Sequence, residues 1–137
     1  KTALKDHNKF KSRAFVATLG SSNDVVGIYS LTVGSLQPRA IKDVGFGKRD
    51  IPAIYFATLG ISQSAQGAGY GSAMMLDAFE RTLRIADDVG VYCLWLTAVD
   101  QPTSAFYEKL GFSFIDPETA DNLDMFIPRL TIADAIL

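Results

Sequence analysis

The chain has 137 residues, 48% of them apolar and 20% charged, with a formal net charge of −2. That suits one domain with its own hydrophobic core and excludes a disordered, charge-dominated chain. No apolar run reaches about 18 residues, which excludes a spanning helix, and the polar segment Lys1 to Arg13 carries no signal-peptide core. A single cysteine excludes an internal disulfide and a thiolate metal cluster, as expected of a protein in a reducing cytoplasm. Cys93 lies in the apolar run Val91 to Leu96 and reads as a buried, inert thiol.

The charge is unevenly spread. Residues 1–50 hold nine Lys/Arg against four Asp/Glu, and residues 51–137 hold four against eleven. Lys5, Lys9, Lys11 and Arg13 form one basic group; Lys48 and Arg49, with Arg39 and Lys42, form a second. Such groups attract an anionic partner even on an acidic chain. His7, the only histidine, sits among polar residues and reads as a surface side chain.

In chain order, Ala14 to Thr18 reads as a strand, Gly20 to Asp24 as a turn and Val25 to Val33 as the second half of a hairpin. Gly34 to Pro52 is expected to be a long loop with one short helical piece. Ile54 to Ile61 is the next strand. From Ser72 to Val89, Leu76, Phe79, Leu83 and Ala86 recur at helical spacing while Asp77, Glu80, Arg81 and Arg84 face elsewhere, with Gly90 as the C-cap. Val91 to Val99 is too apolar for a solvated face and is expected to be a central strand. A helix from Thr103 to Leu110 follows, entered through Pro102 and ended by Gly111, with Asp100 capping it. Phe112 to Ile115 and Leu123 to Ile127 complete the strands. This order describes an α/β domain with a mixed sheet. The tail Thr131 to Leu137 is apolar for a terminus and is expected to pack on a partner or on an N-terminal element missing before Lys1.

Between the strand ending at Ile61 and the long helix lies Gln66-Gly67-Ala68-Gly69-Tyr70-Gly71. Glycines at alternate positions let the backbone turn sharply and approach a ligand closely. The first helical N–H groups and the positive end of the helix dipole then face that turn, an arrangement suited to phosphate. About one helix and one strand downstream, the chain reads Thr103-Ser104-Ala105-Phe106-Tyr107-Glu108-Lys109-Leu110-Gly111-Phe112.

This pair of segments, in this order, resembles the GCN5-related N-acetyltransferase (GNAT) superfamily over nearly the whole chain. Val26 to Leu31 followed by Gly34-Ser35, with Asp100 seven residues before Tyr107, resembles its toxin branch, whose members acetylate the amino group of aminoacyl-tRNA and pair with a ribbon-helix-helix antitoxin. Thr58 and Thr103 depart from several of those toxins, which carry Arg and Ala there. The resemblance implies a GNAT fold: a mixed, mostly antiparallel sheet with flanking helices, splayed between two central strands. It also implies that the fold's usual first strand and helix are missing before Lys1.

By that resemblance acetyl-CoA is the co-substrate and no metal takes part. Gln66, Gly67, Ala68, Gly69, Gly71 and Ser72 hold the pyrophosphate, while Leu59 and Ile61 border the slot for the pantetheine arm. A backbone N–H near Leu59 or Gly60 stabilises the oxyanion. Tyr107 protonates the leaving thiolate. Tyr29 faces the acceptor pocket, and Lys5, Lys9, Lys11, Arg13, Lys48 and Arg49 contact tRNA phosphates. The implied function is N-acetylation of aminoacyl-tRNA, which blocks translation. The alternative acceptor is a small amine or a protein or peptide amine, and a coenzyme A-binding module without turnover is a third reading. The resemblance also allows a homodimer and implies no membrane partner.

Overall fold

The computed structural model describes residues 11–18, 24–38, 40–41, 45–62, 67 and 69–136. Among these, β1 (Arg13–Thr18), β2 (Val25–Leu36), β3 (Ile51–Ile61), β4 (Cys93–Thr97), β5 (Ser113–Phe114) and β6 (Asp124–Pro128) form one sheet in the order β1-β2-β3-β4-β6-β5. Every neighbouring pair is antiparallel except β3 and β4, which run parallel. Three helices, α1 (Tyr70–Asp88), α2 (Gln101–Leu110) and α3 (Arg129–Ile136), complete the α/β domain. No helix among the described residues is long and apolar enough to cross a membrane.

Alternation along the strands divides the core between the two faces of the sheet. Tyr29, Leu31, Ile54, Phe56, Leu94, Leu96, Met125 and Ile127 pack on one face with Met75 and Phe79 of α1, Tyr107 of α2 and Ile132 of α3. On the opposite face Leu36, Ile51, Ala53 and Cys93 form a smaller cluster under Ala40, Phe46, Trp95 and Phe126. Burial alone pushes the Cys93 thiol up to about 12, so it stays protonated and inert.

Several boundaries differ from the sequence pattern. β2 extends to Leu36 and β3 begins at Ile51, because Ser35 pairs with Pro52 and Leu36 with Ile51. The loop expected from Gly34 to Pro52 is shortened at both ends by that pairing. Pro52 gives up no donor the sheet needs, and its carbonyl accepts from the Tyr92 N–H. The turn expected at residues 20–24 falls almost wholly outside the described residues. β4 stops at Thr97, since the Ala98 N–H donates to Leu123 in the adjoining loop and Val99 stands 83% exposed.

The helix pattern needs a similar correction. The buried stripe of α1 is Met74, Met75, Ala78, Phe79 and Thr82, whereas Leu76 is 46% exposed. Thr82 tolerates burial because its hydroxyl donates to the Ala78 carbonyl, 2.8 Å away. Val89, extended and with its N–H on the Ile85 carbonyl, is the C-cap in place of Gly90. The apolar tail is largely the helix α3. It packs on α1 and β6, buries Ile132 completely and packs Ile136 against the same cluster, so these two side chains belong to this domain's own core while Leu130 is exposed.

A polar contact fastens α1 to the sheet. The Tyr29 ring stacks between Phe15 and Phe56, with centroids 5.2 Å from each, and its hydroxyl donates to Asp77 Oδ2. Asp77 also accepts from Arg81 Nε at 3.0 Å, and the Arg81 guanidinium lies 3.9 Å above the Phe15 ring. Burial would raise the Asp77 carboxyl, but the Tyr29 hydroxyl and the Arg81 guanidinium outweigh it and hold the carboxyl below its usual value of 3.8. Burial, then the adjoining carboxylate, push the Tyr29 phenol well above the ordinary phenol range.

Two outcomes test this account. Replacing Ile132 by Ala should lower stability by about 2–4 kcal/mol, whereas the exposed neighbour Leu130→Ala should change it by less than about 0.5 kcal/mol, both read from chemical denaturation. Because the folded Asp77 carboxyl sits below its unfolded value, its contribution is present above that unfolded value and fades as pH falls through the folded one. Asp77→Asn should therefore flatten the acid side of the wild-type stability profile, and urea midpoints measured between pH 6 and pH 2 would check it.

Candidate active site

The parallel ladder between β3 and β4 contains only Ala53–Cys93, Ile54–Leu94 and Tyr55–Trp95. β3 continues to Ile61 and β4 to Thr97, so the two central strands part beyond Tyr55 and Trp95. The cause lies on the other side of β3. Ile28 pairs with Gly60 but Ser30 pairs with Ala57, which sets Thr58 and Leu59 opposite Tyr29 alone. Such a bulge bends the strand and increases its twist. The wedge it opens is the splay expected between two central strands.

One mouth of the wedge is closed by the glycine turn. Gly67 and Gly69 have φ of 84° and 83°, a left-handed conformation that L side chains rarely adopt. Gly69 is the N-cap of α1 and supplies no side-chain cap, and the first turn contains no acidic residue. The leading N–H groups of the helix are therefore turned toward a cavity of about 290 Å³ bordered by Ile61, Gly67, Gly69, Gly71, Ser72 and Phe106. Five of the eight residues expected around the acyl carrier are thus brought together here, apart from Leu59, Gln66 and Ala68. Gln66 and Ala68 lie outside the described residues, and Leu59 contributes the backbone of the bulge. A turn of left-handed glycines leading into uncapped helix donors fits a pyrophosphate.

Phe106 of α2 borders this cavity, and Tyr107 follows it in the same helix. Asp100 starts that helix by accepting from the Thr103 N–H at 2.8 Å, and hydrogen bonding to the Thr103 hydroxyl, then to that N–H, holds its carboxyl below the usual value. The ring of Tyr107 is 5% exposed and edge-on to Phe106 and Phe112, at 5.2 and 5.5 Å. Burial raises its phenol above 10.0, so the hydroxyl keeps its proton through neutral pH. A protonated phenol is able to donate to a leaving group.

The remaining residues divide between the faces. Tyr29, expected at the acceptor pocket, is 2% exposed on the helix side with its hydroxyl bound to Asp77. Its hydroxyl fastens α1, and the residue also borders a cavity of about 450 Å³ with Phe15, Met74, Asp77 and Arg81. Lys11 and Arg13 border a groove with Arg81 and Arg84 on that same side. Lys48 and Arg49 are exposed beyond Phe46, over the smaller core on the opposite side, with the Arg49 guanidinium 5.8 Å from the Phe46 ring. The two basic groups thus occupy opposite faces. Lys5 and Lys9 lie outside the described residues. Asp77 and Arg81 escape the sequence pattern because they flank the buried stripe. Their only sequence signal is an acid–base pair four residues apart. Among the described residues no three His, Cys, Asp or Glu side chains are grouped to hold a metal ion.

Comparison with known proteins agrees with this geometry. Residues 11–114 match the family described as Acetyltransferase (GNAT) domain. The chain is 30% identical to a probable toxin TacT of Sinorhizobium fredii, covering 96% of this chain and 77% of that protein. It is 32% identical to a tRNA-acetylating toxin of Mycobacterium tuberculosis, covering 82% and 68%. Among solved structures it resembles AtaT complexed with acetyl-methionyl-tRNAfMet, at 21% identity and TM-score 0.84, covering 98% of this chain and 81% of that one. An AtaT variant bound to acetyl-CoA and the C-terminus of the antitoxin AtaR gives 22%, 0.80, 97% and 77%. At those identities the solved structures establish the fold. With the matched domain spanning the bulged strand, the glycine turn and Tyr107, the chain belongs to the GNAT acetyltransferase family.

Proposed function

We propose that this acetyltransferase moves acetyl from acetyl-CoA to the amino group of aminoacyl-tRNA, as the toxin of a toxin–antitoxin pair acting in the cytoplasm. The observation that supports this reading best is a wedge with a phosphate-type turn at one mouth and the basic Lys48–Arg49 loop across the opposite face, in a chain related to a tRNA-acetylating toxin. Acetyl-CoA supplies the activated acetyl group. The backbone of Gly67 to Ser72 holds its pyrophosphate, and the strands bordering the wedge hold its pantetheine arm by ladder-type bonds. A backbone N–H near Leu59 or Gly60, at the bulge, receives the developing oxyanion. Tyr107 gives its proton to the departing thiolate and regains one from the proton the attacking amine loses as the amide forms.

An aminoacyl ester has a less basic amine than lysine, so a useful fraction is neutral near pH 7 and no strong base is required. Lys48 and Arg49 contact tRNA phosphates from the open face, with Lys11 and Arg13 as a second contact on the other side. A ribbon-helix-helix antitoxin and a homodimer are the partners proposed for this branch. One observation favours a second reading, a small amine or a peptide amine as acceptor. Asp116, Glu118, Asp121 and Asp124 form an acidic stretch beside the end of β4, which favours a compact cation over a polyanion.

The deciding experiment transfers radiolabelled acetyl to a charged tRNA pool beside a deacylated one. Label confined to the charged pool supports the proposal, and no label on either, with coenzyme A still bound, moves the acceptor to a small or peptide amine. Tyr107→Phe should lower kcat by about 10²- to 10⁴-fold while the KM for acetyl-CoA stays within about threefold. With the phenol raised by burial, wild-type activity should persist to higher pH than an ordinary phenol allows, and the pH–rate profile checks this. Reversing both charges at Lys48 and Arg49 should raise the KM for charged tRNA by about tenfold and reduce its salt dependence, with acetyl-CoA kinetics unchanged.

A further inference from the structure

The β3–β4 ladder ends at Tyr55 and Trp95, so this pair stands where the two central strands begin to part. Alternation along each strand turns both side chains to the face away from α1, the side on which Ala53 and Cys93 also lie. Their rings are in contact, with centroids 4.6 Å apart and planes tilted by 50°, and both residues are only half-buried. The α1 side of the same stretch is closed. Ile54, Phe56, Leu94 and Leu96 are at most 3% exposed there and belong to the core shared with α1 and α2. An acceptor therefore reaches the start of the wedge over the ring pair. Phe46 packs on the same small cluster as Trp95, and the Arg49 guanidinium lies beside the Phe46 ring, so the Lys48–Arg49 loop belongs to this face as well.

We infer that Tyr55 and Trp95 are the shelf on which the acceptor RNA stacks the base of its unpaired terminal nucleotide. The inference rests on the proposed aminoacyl-tRNA reading and adds the side chains that recognise the RNA end. Every aminoacyl-tRNA carries its amino acid on the ribose of an unpaired 3′-terminal adenosine, whose base offers a flat ring face. Proteins that bind single-stranded RNA ends hold such bases on aromatic side chains. The spacing along β3 suits both parts of this group. Thr58, where the bulge begins, is three residues past Tyr55, about 10 Å of extended strand. An ester and a ribose separate the amine from the base by a comparable reach, so the amine meets the bulge when the base lies on the rings. Lys48 and Arg49, on the same face, meet phosphates of the strand that leads to that nucleotide. The shelf takes no part in proton transfer; it orients the acceptor, which is an effect on acceptor KM.

Trp95 is the chain's single tryptophan, so its fluorescence reports on the shelf directly. The probes are a non-hydrolysable aminoacyl-adenosine amide and the matching ribose amide without its base. Both are added with the coenzyme A site saturated, so that the probe's adenine does not enter it. The adenosine probe should quench Trp95 and bind about tenfold tighter than the base-free one, as expected of one base–ring stack. Trp95→Leu should raise the KM for charged tRNA by about tenfold, with kcat, the KM for acetyl-CoA and the thermal midpoint near wild type. Trp95→Phe should recover most of that loss, and Tyr55→Leu should show a loss of the same kind. Unchanged Trp95 fluorescence with the adenosine probe, equal affinity for the two probes, or a parallel loss of acetyl-CoA affinity in Trp95→Leu overturns the assignment. Failure of the tRNA proposal is read separately, from charged tRNA that takes no label with the wild-type enzyme.

Discussion

The parallel ladder between β3 and β4 holds three residue pairs and then ends, and the position of that break decides where everything else at the site must stand. Had the ladder continued past Tyr55 and Trp95, backbone bonds would close the sheet and leave no place for a second reactant. Because it stops, β3 runs past its bulge to Ile61, at the border of the glycine-turn cavity, while β4 ends at Thr97. The same chain reversal that ends β3 launches α1, so the phosphate-type donors arrive at a fixed distance from the bulge.

That arrangement needs α1 to be held firmly, since its first turn is one wall of the site. Most of the holding is apolar, through Met75, Ala78 and Phe79, each at most 4% exposed. Apolar packing is weakly directional, however, and a helix on a sheet is able to slide or rotate with little loss of buried area. The Tyr29–Asp77–Arg81 contact supplies direction: a phenol clamped between Phe15 and Phe56 reaches a single carboxylate on the helix. Strand β1, at the edge of the sheet, joins the same contact through the Phe15 ring under Arg81. The edge, the second strand and the helix are therefore linked by one set of side chains.

Much of this was legible in the sequence because it depends on local chemistry. The glycine spacing, the Asp100 cap and the Gly111 stop each act within a few residues, and the structure has them where the spacing implied. Features set by distant pairing were not legible. Nothing in Gly34-Ser35-Leu36 distinguishes a strand from a loop until Ile51 and Pro52 are known to lie beside it. The rotation of α1, which exposes Leu76 and buries Thr82, follows from which side chains the sheet offers, not from the helix's own apolar spacing. Tyr29 reads as a pocket residue when only its strand is considered. Its partner Asp77 is 48 positions away, and the contact appears only once α1 lies across the sheet. The Tyr55–Trp95 ring pair is invisible for the same reason, since only register sets the two side chains together.

Cys93 stands at the start of the short ladder, fully buried, with its thiol raised to about 12. Each cycle of an acetyl-CoA-dependent enzyme releases a free thiol within reach of the protein. The chain's single sulfhydryl is sealed beneath Ala53 and Ile51, protonated and out of contact with solvent. Mixed disulfides between enzyme and product thus have no accessible protein sulfur on which to form. The placement that makes Cys93 unreactive as a nucleophile also makes the catalyst indifferent to the redox state of its own product.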